Sequence, residues 1–291
     1  MIGSSTTFGH TSSGDVITLT HEGELVWRES VVARFGRFDA RHEIGNSLEQ
    51  TRDDIIVLVS HDGPSYLLAL DKSTGQVHWK ADRPSAIAWS SPVVVDTPAG
   101  SRIYVSANGA DEAYDVPTGR MLWTIHGLNG NTVLSPTIIG QHLLIGSSDH
   151  ASTIAIAVRD QPDQSHTPIA VRAWQVTRAS SRFGSPLASQ GNAYFVNKAG
   201  VLRCHDQVAG DELWLHRPPG GVWISPVAAG SRLYFFGLQG MTTAIDANAE
   251  EPVELAHNTL DVAGDRLYGA ALVDGAIILR TSNELIRIGA E

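Results

Sequence analysis

The chain of 291 residues lacks features that several large classes of proteins require. Its single cysteine, Cys204, excludes an intrachain disulfide and a CxxCH haem attachment. The formal net charge is −10, and Lys and Arg form no cluster in the sequence. Both features argue against nucleic acid as a partner. No apolar run reaches the roughly 18 residues of a membrane-spanning helix, and no amphipathic helical segment is evident. The sequence therefore predicts no membrane span in this chain.

Motifs of catalytic and metal sites are also missing. The sequence has no HExxH, paired CxxC, GxSxG, GxGxxG or P-loop pattern, and its 12 His residues are scattered. The Asp residues that recur do so at turn positions, where local backbone hydrogen bonding explains them. We therefore predict no catalytic, cofactor-binding or metal-binding residues, and a protein that is not an enzyme.

A repeated hairpin organises the sequence. Its clearest copy, SYLLALDKSTGQVHW, spans residues 65–79. Tyr66–Leu70 has the composition of a buried strand, Asp71–Gly75 is a turn, and Gln76–Trp79 resumes as a strand. Such a hairpin cannot bury its own faces, so the copies must stack against each other.

The end of this hairpin recurs along the chain. Residues 115–123 and 206–214 repeat the turn and the Trp, residues 20–27 form a shorter version, Trp174 ends a degenerate copy, and Leu255 takes the Trp place in a sixth. A period of about 40 residues with several short strands predicts a β-propeller. We expect the recurring residues Trp79, Trp123, Trp174 and Trp214 to wedge between blades. Cys204 occupies the place of Ala69, which predicts a small buried strand residue.

A second signature precedes each hairpin. Ser-Pro starts an apolar strand at residues 91, 135, 185 and 225, and a strand usually centred on Tyr follows. Each repeat therefore has four strands. We expect an all-β propeller of four-stranded antiparallel blades, with about seven blades present, five complete and two partial, and eight in the intact protein. We further expect residues 1–291 to form one domain whose first blade is truncated, with the missing strand and a secretion signal upstream.

The combined pattern of Ser-Pro, a central Tyr and Asp-x-x-Thr-Gly-x-x-h-Trp, where h is apolar, resembles the PQQ-like propeller repeat. That repeat is found in quinoprotein dehydrogenases and in the BamB-type lipoprotein of outer-membrane assembly. The resemblance implies a non-enzymatic binding or assembly scaffold of the cell envelope or periplasm, without a cofactor and with a protein or polysaccharide partner.

The same resemblance implies an alternative: a PQQ-dependent dehydrogenase, or another redox or sugar-processing protein. Quinoproteins hold PQQ with a Ca²⁺ ion that Glu, Asn and Asp coordinate. Asn46, Asn108 and Asn131 could be proposed as ligands, but no acidic partner stands at a diagnostic spacing.

Two groups of residues are candidates for a binding surface. Aromatic residues stand two positions before the Ser-Pro start or its equivalent, and the repeat predicts that they ring one mouth of the axial channel: Trp89, Phe183, Trp223 and Tyr268. The alternative is that these rings pack between blades. The long connection of residues 28–46 carries Arg34, Arg37 and Arg41, which could contact a ligand. Here the alternative is an ordinary solvated crossover.

Overall fold

The computed structural model describes residues 6–11, 13–39, 45–107, 109–128, 133–147, 152–159, 168–179, 183–197, 199–220, 222–262 and 265–289. These residues form two compact units. The first unit holds the described residues up to Gly127 together with residues 168 and 169, and the second holds those of 128–159 and from Ala170 onward.

The first unit contains blades 1 to 3. Its strands are β1 (Thr6–His10), β2 (Asp15–Thr20), β3 (Leu25–Ser30), β4 (Glu49–Gln50), β5 (Asp54–Val59), β6 (Ser65–Asp71), β7 (Val77–Arg83), β8 (Val93–Thr97), β9 (Gly100–Ala107), β10 (Ala110–Asp115) and β11 (Met121–His126). Blade 1 is the sheet β1-β2-β3, blade 2 is β4-β5-β6-β7, and blade 3 is β8-β9-β10-β11.

The second unit contains blades 4 to 7. Its strands are β12 (Thr137–Ile139), β13 (His142–Ser147), β14 (Ser152–Arg159), β15 (Ile169–Thr177), β16 (Leu187–Ser189), β17 (Asn192–Val196), β18 (Leu202–Asp206), β19 (Glu212–His216), β20 (Val227–Ala229), β21 (Arg232–Phe236), β22 (Met241–Asp246), β23 (Glu254–Thr259), β24 (Gly269–Val273), β25 (Ala276–Arg280) and β26 (Leu285–Ile288). Blades 4, 5 and 6 have four strands each in chain order, and blade 7 is β24-β25-β26.

The fold is an all-β propeller of antiparallel sheets, as predicted. In the described part of the chain, five blades have four strands, and blades 1 and 7 have three. This matches the expectation of five complete and two partial blades. An eighth blade, an upstream segment and a single domain remain predictions.

The turn of each hairpin follows from its Asp and Gly. In blade 2, Asp71 Oδ1 accepts hydrogen bonds from the backbone amides of Ser73 (3.0 Å) and Thr74 (2.8 Å) and from both hydroxyls. The bonds from Ser73 and Thr74 hold the pKa of this carboxyl at about 2. Gly75 closes the turn at a φ of +72°, which a residue with a side chain rarely adopts.

In blades 2 and 5, a small residue of the third strand pairs with the Trp of the fourth strand. Ala69 lies opposite Trp79, and Cys204 lies opposite Trp214. The register shifts by one residue immediately after Ala69 and after Cys204, so both hairpins contain a β-bulge at the same place. Cys204 is completely buried, which confirms the prediction made for it.

The sixth copy differs from the sequence prediction. In blade 6, Ala244 pairs with Ala256, so Ala256 and not Leu255 takes the place of the Trp. The prediction was wrong because the turn of blade 6 is longer. Ala256 stands ten positions after Asp246, whereas Trp214 stands eight positions after Asp206.

The Trp rings pack against the turn of the next blade. Trp79 Nε1 donates a hydrogen bond of 2.9 Å to the carbonyl oxygen of Val116 in blade 3, and Trp174 Nε1 donates one of 3.1 Å to that of Gln207 in blade 5. Trp214 belongs to a core cluster that includes Leu233 of blade 6. The wedging role is confirmed for these three rings. For Trp123, whose ring lies 5.9 Å from that of Tyr104 in its own blade, the role remains a prediction.

One short helix, α1 (Val31–Phe35), occurs in the described part of the chain. Ser30 caps it, since its Oγ accepts a hydrogen bond from Ala33 N at 3.3 Å. A helix of five residues is too short to show an amphipathic period.

Candidate docking surface

Serines of the Ser-Pro signature connect successive blades. In the second unit, Ser135 N donates to Ser185 Oγ, and Ser185 N donates to Ser225 Oγ, each at 3.0 Å. In the first unit, Ser47 N donates to Ser91 Oγ at 2.8 Å. Each hydroxyl therefore holds the preceding blade at its first strand, and this fixes the residues just before the Ser-Pro at equivalent places.

The second unit places three aromatic residues at these equivalent places. Trp223 N donates to Phe236 O at 2.9 Å, and Tyr268 N donates to Arg280 O at 2.8 Å, so both residues lie at the end of the second strand of their blade. Phe183 precedes its Ser-Pro by the same number of residues. We call Phe183, Trp223, Tyr268 and Arg280 the aromatic rim.

Two aromatic side chains of the rim are exposed. Phe183 is 38% exposed and Tyr268 is 46% exposed. Trp223 is half-buried against a cluster that includes Leu267, and its ring centroid lies 4.6 Å from that of Phe183. Trp223 thus packs partly in the core, as the alternative interpretation of these rings predicted. Phe183 and Tyr268 are exposed to solvent.

Arg280 adds a positive charge to the rim. Its guanidinium lies 6.0 Å from the centroid of the Tyr268 ring, which is within the range of a cation–π contact. Tyr268 and Arg280 border a cleft of about 490 Å³ whose other wall is the β25–β26 hairpin, residues 281–285.

The hairpin beside this cleft is held by Asp265. Its carboxylate accepts hydrogen bonds from Ser282 Oγ (2.6 Å), Arg266 N (2.7 Å) and Ser282 N (2.9 Å). These bonds, the one from the Ser282 side chain foremost, lower the pKa of Asp265 to about 2. The carboxylate is therefore ionised at neutral pH and can accept all three hydrogen bonds.

Trp89 belongs to the first unit and stays a separate candidate. It is half-buried, and a Cβ atom on Gly45 would lie 3.3 Å from its Cδ1. The residue after it, Ser90, donates a hydrogen bond to Ser106 O. Three of the four aromatics thus lie in the second unit, and the ring around one mouth of the axial channel remains a prediction.

The three arginines of the long connection were predicted to contact a ligand. Arg34 is exposed at the end of α1, and its Nη1 lies 3.2 Å from Glu29 Oε1. Arg37 is also exposed, and Arg41 lies outside the described residues. The apolar side of the segment is packed, because the rings of Phe35 and Tyr66 lie 5.3 Å apart. The arginine site remains a prediction.

Of the donors proposed for a quinoprotein site, the structure describes Asn46 alone. Asn46 is 4% exposed, and its Nδ2 donates to Leu58 O at 3.0 Å, which commits this amide to the fold. Asn108 and Asn131 lie outside the described residues. Within the described ranges, no group of three or more His, Cys, Asp or Glu side chains could hold a metal ion. Of the three proposed donors, only Asn46 is described, and its burial and hydrogen bond do not suit a ligand of a Ca²⁺-PQQ site.

Sequence reasoning missed Arg280 and Asp265. Arg280 contacts Tyr268 and Asp265 contacts Ser282, which lie 12 and 17 positions away, and neither residue type recurs in the repeat. Among the described residues, no helix has the length and apolarity needed to cross a membrane.

Comparisons with known proteins agree with this fold. A family model described as outer membrane protein assembly factor BamB matches residues 12–283. No curated protein sequence matches the chain.

Solved structures similar to this chain include BamB from Moraxella catarrhalis, with 16% identity and a TM-score of 0.72 over 97% of this chain and 78% of the other. Saccharomyces cerevisiae Sqt1 has 12% identity and a TM-score of 0.70, covering 98% and 82%. The C-terminal WD40 domain of Sif2 has 13% identity and a TM-score of 0.66, covering 97% and 76%. At these identities the likeness shows the fold alone.

Proposed function

Since the chain belongs to the family described as outer membrane protein assembly factor BamB, we propose that it is a non-enzymatic scaffold that binds a protein partner through the aromatic rim. The observation that carries this proposal is the exposure of Phe183 and Tyr268 on either side of Trp223, at equivalent places of successive blades. Aromatic residues and Arg are the residue types that contribute most binding energy in protein interfaces.

The rim suits a protein partner for a further reason. Its members are fixed before binding: backbone bonds hold Trp223 and Tyr268, and Asp265 holds the adjacent hairpin. A rigid surface loses little conformational entropy on association, so more of the contact energy appears as affinity.

The test begins with identification of the partner. A photo-crosslinking amino acid is placed at position 183 or 268 of the full chain in its native host, and at position 208 as a control, because Val208 is 65% exposed outside the rim. We expect one protein to be crosslinked from positions 183 and 268 and not from 208.

The purified partner then allows a quantitative test. We expect the double variant Phe183→Ala/Tyr268→Ala to weaken binding by about 2 kcal/mol or more, roughly 30-fold, while the melting temperature stays near that of the wild type. The control Leu213→Ala removes an exposed apolar side chain from β19 and should leave the affinity unchanged. If the double variant binds as tightly as the wild type, the rim is not the docking surface.

The alternative of a PQQ-dependent dehydrogenase predicts a different result. Addition of PQQ and Ca²⁺ would then produce a bound quinone absorbance band and a rise in melting temperature. This outcome would contradict the scaffold proposal, whereas an unchanged spectrum and melting curve would support it.

A further inference from the structure

A cavity of about 670 Å³ lies between blades 6 and 7 of the second unit. Blade 6 contributes one wall and blade 7 the other, and the main wall residues are Tyr234, Phe236, Ala256, Ile277, Leu279 and Ile288. The volume falls within the roughly 300–1,000 Å³ of small-molecule pockets, and the walls have the apolar and aromatic character of such sites.

The cavity exists because blade 6 lacks the repeated Trp. In blade 5, Trp214 faces blade 6 and belongs to the same core cluster as Leu233 and Phe235. Phe236 at the end of β21 and Arg280 at the end of β25 accept equivalent backbone hydrogen bonds, so the two strands can be aligned on these residues. In this alignment, Ile277 and Leu279 of blade 7 correspond to Leu233 and Phe235 of blade 6. Both residues of blade 7 line the cavity. The space that an indole fills between blades 5 and 6 is therefore open between blades 6 and 7.

Ala256 leaves this space open from the side of blade 6. It pairs with Ala244 as Trp214 pairs with Cys204, and both alanines line the cavity. A methyl group in place of an indole leaves a void that neighbouring side chains of rigid strands fill only in part.

Polar groups stand at the two ends of the cavity. Arg232 begins β21 at one end and is exposed, and it has no ion-pair partner among the described residues. Thr242, which pairs with Phe236, lies at the other end together with Thr259. A positive charge beside an apolar, aromatic-walled slot complements a ligand that has a flat ring and one acidic group.

We propose that this cavity binds a planar aromatic acid, with the ring in the space of the missing indole and the carboxylate at Arg232. The occupied cavity would join blades 6 and 7 as Trp214 joins blades 5 and 6. The site is independent of the aromatic rim and of the partner proposed for it.

The test uses indole-3-acetate and indole as probes, titrated calorimetrically into the full chain. We expect Ala256→Trp, which fills the cavity with the side chain used in the other blades, to weaken the binding of indole-3-acetate about tenfold or more. The matched control Val253→Trp adds the same ring at an exposed position outside the cavity, and should bind as the wild type does. Arg232→Gln should weaken indole-3-acetate but leave indole unchanged, because only the former carries a carboxylate.

Absence of saturable binding to the wild type, or equal binding by Ala256→Trp, would overturn the proposal. If Ala256→Trp does not fold, Ile277→Phe fills the cavity from the opposite wall and gives the same reading. Size-exclusion chromatography distinguishes another occupant: a wild-type dimer that Ala256→Trp converts to a monomer would mean that the cavity receives a second copy of the chain, and would also overturn the proposal.

Discussion

The indole ring of Trp174 lies so close to Gly210 that a Cβ atom on this glycine would come within 2.6 Å of the ring atoms Cγ and Cδ2. Gly210 also has a φ of +77°. The glycine of the repeated turn is therefore required twice, for its backbone conformation and for the space that the ring of the preceding blade occupies. Trp27 and Gly75 repeat this contact in the first unit.

Replacement of Gly210 should test both requirements. We expect Gly210→Ala to lower the free energy of unfolding by about 2–5 kcal/mol, from the strain of a left-handed conformation and from overpacking against Trp174. Guanidinium chloride unfolding measures this loss.

The matched control is Gly230→Ala. Gly230 has a φ of +58°, but a Cβ atom there meets nothing within 4 Å. The substitution Gly230→Ala should lower the free energy of unfolding only by the backbone strain, about 1–2 kcal/mol. Equal losses at the two positions would show that the ring does not constrain Gly210.

A buried ion pair between blades 2 and 3 gives a second prediction. Arg83 Nε lies 2.6 Å from Glu112 Oε2, with the two side chains 1% and 3% exposed, and Tyr114 donates to the same oxygen at 2.7 Å. Glu112→Leu leaves the buried guanidinium without its counter-charge, so we expect a loss of about 3–5 kcal/mol.

Addition of Arg83→Met to Glu112→Leu should restore more than half of that loss, because no buried charge then remains. Arg52→Ala serves as the control, since Arg52 and its partner Asp53 are almost fully exposed, and it should cost less than about 1 kcal/mol. Chemical unfolding of the wild type, Glu112→Leu, the double variant and Arg52→Ala measures these losses. A double variant as unstable as Glu112→Leu alone would contradict this account.

The repeat made most of the fold predictable from the sequence. The Asp and Gly of the turn have local roles, and the Trp follows at a fixed distance, so spacing alone located the hairpins of blades 2, 3 and 5. Blade 6 was the exception. Its longer turn carries no Trp as an anchor, and only the pairing of Ala244 with Ala256 shows which residue takes that place.

The candidate site was predictable only in part, for a similar reason. Phe183, Trp223 and Tyr268 each stand two positions before a Ser-Pro or its equivalent, which the sequence shows directly. Arg280 lies beside Tyr268 because of strand pairing, and Asp265 holds a hairpin 17 residues away. Such neighbours follow from tertiary structure and not from a motif.

His61 should make the stability depend on pH. It is 1% exposed, and its Nδ1 accepts hydrogen bonds from Gly63 N (2.9 Å) and Asp39 N (3.0 Å), so protonation there breaks both bonds. Burial lowers the pKa of His61 below 6.5, despite the nearby carboxylates of Asp39 and Asp62. The unfolded chain therefore takes up this proton first, and stability should be complete above about pH 6.5 and fall as the pH decreases below it.

The comparison is the free energy of unfolding of the wild type and His61→Gln between pH 8 and pH 5. Gln keeps an acceptor but does not titrate, so the variant should lose less stability on acidification. The slopes of the unfolding free energy against pH should differ by up to about 1.4 kcal/mol per pH unit, which corresponds to one proton. Burial also lowers the pKa values of His142 and His205, so some pH dependence should persist in the variant. Parallel pH profiles would show that His61 does not contribute.

Cys204 should be chemically inert in the folded protein. Its side chain is fully buried opposite Trp214, and burial raises the pKa of the thiol to about 12, so almost no thiolate forms at neutral pH. We expect only a very slow reaction with a thiol reagent such as DTNB in native buffer, and a rapid reaction of one thiol per chain in denaturant. The rate in native buffer should then follow the opening of blade 5, and Gly210→Ala, which weakens the contact of Trp174 with this blade, should increase it. A rapid reaction of the wild type in native buffer would show that the hairpin of Cys204 and Trp214 opens easily, contrary to the close packing of this pair.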